Sequence, residues 1–108
     1  MKLIYAIVNN SDTKSVCQAL TSAGYYATKL ASTGGFLSSG STTFLICVED
    51  ERVDSAIKII SEKSRRRKQF VPSVNTVGMG TYFSSPPIEV SVGGATIFVT
   101  DVERYEKV

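Results

Sequence analysis

The residues best suited to recognition chemistry are concentrated in Thr28–Thr43, TKLASTGGFLSSGSTT. This stretch holds three glycines, eight serine or threonine hydroxyls and the apolar pair Phe36-Leu37, with Lys29 as its sole ionisable side chain. Glycine lets backbone N–H groups approach a ligand, hydroxyls donate to or accept from phosphate and base edges, and an aromatic ring offers a base a stacking surface. That is the composition of a binding loop, centred on about residues 33–42; its bland alternative is a β-hairpin tip.

Other candidates carry less. Ser64-Arg65-Arg66-Arg67-Lys68 has the charge to contact phosphates, but such a run also suits a solvated helix end, where cations complement the dipole. The helix-end reading is preferred, because the strands lack the aromatic pattern of a ferredoxin-like RNA binder. Gly78-Met79-Gly80 is followed by no helical periodicity, and no GxxxxGK[ST] exists, which argues against a Rossmann or P-loop phosphate site. Glu49-Asp50-Glu51 fits the start of a helix better than a Mg²⁺ site, since successive helical residues do not share a face. Asp101 and Glu103 form an acid/base pair only on paper, with no nucleophile beside them. The chain has no histidine, and its two cysteines, Cys17 and Cys47, lie on separate elements. Zinc sites of the usual spacing, Cys-His nucleophiles and Ser-His-Asp triads are thereby excluded, and an enzyme is not expected.

The elements that position these residues follow from periodicity. Leu3–Val8 is continuously apolar and reads as a central strand. Asn9–Asp12 supplies turn and N-cap residues for a helix with apolar positions Val16, Ala19, Leu20 and Ala23, closed by Gly24. Tyr25–Ser32 and Thr42–Val48 read as strands flanking the glycine-rich loop. Val53, Ala56, Ile57 and Ile60 mark a second helix that ends within Glu62–Arg67. The segment from about Lys68 to Pro87 holds all three prolines and is either a functional loop or an extra hairpin. Ile88–Val92 and Ala95–Val102 are β-forming, separated by Gly93-Gly94.

With 108 residues, 43% hydrophobic and 20% charged, the chain is expected to form one domain, 1–108. Its order predicts an α+β ferredoxin-like βαββαβ sandwich: an antiparallel sheet, two helices on one face, and a long loop before the last strands. The uncovered face would be greasy, which predicts burial against other subunits. No apolar run is long enough to span a bilayer and no signal-peptide pattern is present, so a cytoplasmic protein is expected. A net charge of +2 argues against a general nucleic-acid partner on composition.

Taken together, TKLASTGGFL, GSTTFLICVEDERVDSAIKII and VSVGGATIFVTDVERY resemble the PII-like cyclic-di-AMP receptor family over essentially the whole chain. The resemblance implies a homotrimer without catalytic activity or cofactor, its sheets facing one another around a three-fold axis. It implies cyclic-di-AMP bound in the clefts between subunits, loops that rearrange on binding, and a downstream protein partner. Carried over by matching residues, Thr28, Gly35, Phe36 and Leu37 are expected to hold an adenine and its phosphate. Ser41 lies in the same loop, and Gly94 and Phe98 are expected to form the wall from the last strand. The chain departs from the family's common residues at Tyr26 (arginine), Ser41 (asparagine) and Cys47 (glycine), which implies weaker cyclic-di-AMP binding or an altered ligand. The alternatives are a PII-like sensor of ATP or ADP, and an RNA-binding ferredoxin-like domain using Arg65–Lys68.

Overall fold

The computed structural model describes residues 1–30, 40–71 and 88–108. Four strands form an antiparallel sheet in the order β2-β3-β1-β6: β1 (Lys2–Asn9), β2 (Ala27–Leu30), β3 (Ser41–Val48) and β6 (Ala95–Asp101). Helices α1 (Thr13–Ser22) and α2 (Val53–Lys63) each follow a short 3-10 turn and pack against one another on one face. This is the expected ferredoxin-like α+β arrangement, with β1 in the middle and its partners drawn from distant parts of the chain.

Register explains which side chains meet the helices. Ile4, Ala6 and Val8 of β1 lie on the face shared with Phe44, Ile46 and Val48 of β3, and all six are buried with Val16, Leu20, Ala56 and Ile60. The period of two in the sheet and of 3.6 in the helices thus converges on a single core. Ala23 departs from the predicted helical stripe: it is the exposed C-cap of α1. Likewise Ile57 is only half-buried, and Ile59 packs against the core beside Val53. Beyond the cap, Gly24 adopts φ +85°, with its N–H bonded to Thr21 O and that of Tyr25 to Leu20 O. This paired pattern is a Schellman ending, and it requires the left-handed residue that glycine supplies.

Tyr25 was expected to start β2. Instead its ring is buried under the guanidinium of Arg52, 4.1 Å from the ring centroid, and its hydroxyl donates to Arg52 O, so β2 begins at Ala27. Part of the supposed loop before the last strands is also regular. Strand β4 (Arg67–Val71) pairs antiparallel with β5 (Ile88–Val92), giving the extra hairpin, while 72–87 lie outside the described residues.

Candidate ligand-binding site

The face of the sheet opposite the helices is organised by register. Thr28 of β2 faces Leu45 of β3, Leu45 faces Tyr5 of β1, and Tyr5 faces Phe98 of β6. Directly opposed residues share a face, so these four form one row across all four strands. Leu3, Tyr5, Ile7 and Leu45 are only half-buried on this side, and Phe98 remains 54% exposed. Thr28 and Phe98 stand at opposite ends of the row, three strand spacings or about 14 Å apart. One chain therefore does not bring these two expected site residues together.

At the β2 side of this face lies a cavity of about 620 Å³, lined by Leu3, Tyr26, Thr28, Leu45, Cys47, Tyr105 and Lys107. Three positions singled out in the sequence, Tyr26, Thr28 and Cys47, converge here. Tyr26 immediately precedes β2 and is 93% exposed. Cys47 stands opposite Leu3 and is an exposed free thiol lining the cavity. The volume falls in the range of small-molecule sites, and the lining combines two phenols, a hydroxyl, a thiol, two leucines and a single charge. Such a surface offers ring faces and one cation to a flat anionic ligand.

Sequence reasoning missed Tyr105 and Lys107. They lie two residues apart in the segment after β6; Tyr105 ends the VSVGGATIFVTDVERY run without a role assigned to it, Lys107 lies beyond that run, and only the fold brings the segment to the cavity.

Ser41 and Gly94 belong to a different place. Ser41 starts β3 opposite Asn9, six residues or about 20 Å along the strand from Cys47. It lines a smaller concavity of about 190 Å³ with Asn9, Arg66, Gly93, Gly94 and Thr96 among others. Gly93 and Gly94 both take positive φ, +85° and +86°, and the Gly94 N–H donates to Ser64 O. A Cβ on Gly93 would sit 2.7 Å from Arg65 O, whereas Gly94 leaves room for the Arg66 side chain 3.6 Å away. The remaining expected residues, Gly35, Phe36 and Leu37, lie outside the described residues.

The basic run is also divided by the structure. Helix α2 ends at Lys63, so Arg65–Lys68 lie beyond it rather than forming its solvated last turn. Arg67 reaches the buried Asp12 with Nη2 2.9 Å from Oδ1, and Lys68 pairs with Glu89 at 3.4 Å. Two of the four cations are thus spent on holding the β4–β5 hairpin. Asp101, at the end of β6, is engaged by the ammonium of Lys2 on β1, which leaves the Asp101/Glu103 acid/base reading without support.

Among the described residues, no helix is long and apolar enough to cross a membrane. Over residues 1–108 the chain matches the family described as "Cyclic-di-AMP receptor". Its fold is similar to the crystal structure of a functionally unknown protein from Pediococcus pentosaceus ATCC 25745. The two share 39% identity over 99% of this chain and 96% of that one, with a TM-score of 0.76.

Proposed function

The chain belongs to the cyclic-di-AMP receptor family, and from that membership we propose a non-enzymatic signalling protein that binds cyclic-di-AMP between subunits of a homotrimer. The observation that carries this reading is the row Thr28, Leu45, Tyr5, Phe98. Thr28 and Phe98 sit on opposite edge strands of the described sheet, so a ligand that touches both draws Thr28 from one subunit and Phe98 from its neighbour. The half-buried apolar side chains between them supply the surface that assembly would remove from water.

In this arrangement the cavity beneath Tyr26 takes one adenine and its phosphate. The neighbour's last strand, with Gly94 and Phe98, closes the cleft. Gly35, Phe36 and Leu37 belong to the same site in this reading, whereas Ser41 stands apart from the Tyr26 cavity at the other end of β3. Loops near the cleft rearrange when it fills, and a downstream protein partner reads the change by population shift. The chain acts in this reading as a single cytoplasmic domain.

A thermal-shift panel with cyclic-di-AMP, cyclic-di-GMP, ATP, ADP and AMP tests it. Ligand at a hundred times its dissociation constant adds about 2.7 kcal/mol to stability. A selective rise with cyclic-di-AMP supports the receptor; a rise with ATP or ADP alone replaces it with an adenine-nucleotide sensor.

A further inference from the structure

The Tyr26 cavity contains one charged side chain, and it comes from the segment after β6. Of the seven lining residues, Leu3, Tyr26, Thr28, Leu45, Cys47, Tyr105 and Lys107, the last alone is a lysine, arginine, aspartate or glutamate. A phosphodiester entering an uncharged cavity loses hydration without an opposite charge to compensate. Tyr26 offers a phenol where the family resemblance leads one to expect a guanidinium, so it contributes one neutral donor and no charge.

The other cation of this segment is already committed. Arg104 pairs with Glu106 at 3.0 Å, whereas Lys107 has no carboxylate within ion-pair distance among the described residues. Tyr105 and Lys107 sit two residues apart and line the same cavity, so a phenol ring and an ammonium arrive side by side. We propose that Lys107 supplies the positive charge that holds the ligand's phosphate in the Tyr26 cavity, with Tyr26 and Tyr105 presenting ring faces to the base. The assignment rests on the receptor reading and specifies how this chain recognises an anion without an arginine at position 26. An ammonium on a flexible stem acts as a point charge rather than a bidentate fork. Recognition here is therefore tolerant of phosphate orientation and steeply dependent on salt.

The test is isothermal titration of the full chain with cyclic-di-AMP at low and high ionic strength. Lys107→Gln weakens binding about tenfold or more, the loss expected of one charge-assisted hydrogen bond, and flattens the salt dependence. Lys107→Arg retains binding, and Tyr26→Arg placed in the Lys107→Gln background restores it, because the new guanidinium enters the same cavity. Lys107 is exposed, so the unliganded melting temperature of Lys107→Gln stays at the wild-type value. Wild-type binding accompanied by equal affinity in Lys107→Gln overturns the assignment while leaving the receptor reading intact. Absence of cyclic-di-AMP binding by the wild type overturns the receptor reading itself, and the assignment with it.

Discussion

The carboxylate of Asp12 is clasped by the guanidinium of Arg67, Oδ1 to Nη2 at 2.9 Å and Oδ2 to Nη1 at 3.3 Å, across 55 residues of sequence. Asp12 is almost fully buried and makes no side-chain cap to α1, so its side chain serves this long-range contact instead of the local one. Arg67 also donates to Arg65 O, which fixes the turn between α2 and β4.

Arg67→Ala leaves a buried carboxylate unpaired. Because Arg67 is 45% exposed, the cost is moderated by solvent, and we expect a loss of about 1–3 kcal/mol in urea unfolding. In the Asp12→Ala/Arg67→Ala double variant the loss is smaller than the sum of the two single losses. Additive losses would mean that the two groups do not interact in solution.

Gly93→Ala and Gly94→Ala differ in severity although both residues have positive φ. Each pays the left-handed penalty of about 1–2 kcal/mol. Only at position 93 does the methyl also meet a backbone oxygen, Arg65 O, at 2.7 Å. Gly93→Ala should therefore lower the melting temperature more than Gly94→Ala, and the reverse order would place the strain elsewhere.

Neighbouring residues of β3 report on different layers. Ile46 is fully buried beneath the helices, while Leu45 is half-buried on the open face. Ile46→Glu is expected to abolish folding, seen as loss of the circular dichroism signal. Leu45→Glu is expected to keep the helical and strand signal, and on the proposed trimeric assembly to convert trimers to monomers in sedimentation, a trimer that persists arguing against assembly through this face.

Tyr26→Arg in the otherwise native chain adds a guanidinium to a cavity that holds a lone ammonium. Cyclic-di-AMP affinity rises by about tenfold, the worth of one charge-assisted contact. Thr28→Val acts oppositely by deleting a hydroxyl from the wall, and titration calorimetry separates the two.

The Lys2–Asp101 pair links the central strand to β6, and the hydrogen bond to Asp101 raises the Lys2 pKa above its ordinary 10.5. A group whose folded pKa is raised stabilises fully below its unfolded value and loses that contribution as pH climbs through the folded one. On the alkaline side, melting temperature should begin to respond to this pair above about pH 10.5. Lys2→Met removes that alkaline component, and an identical pH profile for the variant would count against it.

Much of the fold was legible because burial patterns obey local periodicity: Ile4, Ala6 and Val8 alternate, and Val16 with Leu20 stack one turn apart. What local pattern does not carry is pairing across the chain. Asp12 looked like a helix cap, since the arginine that claims it lies 55 residues away. Arg65–Lys68 looked like one solvated patch, although two of its members are tied to carboxylates. Within the candidate site, Tyr26, Thr28 and Cys47 were marked in the sequence; Tyr105 and Lys107 join them from the segment after β6, which no local periodicity places there.

The position of β1 between β3 and β6 has a consequence for biosynthesis. Every residue from Lys2 to Val8 pairs on one side with a partner near position 45 and on the other with one near position 98. During synthesis β1 is thus a half-satisfied edge until β6 emerges, with its ladder groups open to mispairing. Closing loops of this length is slow relative to local helix formation. The four-stranded sheet is accordingly completed only once β6 is available, and a nascent chain stalled before β6 is a ready target for chaperones.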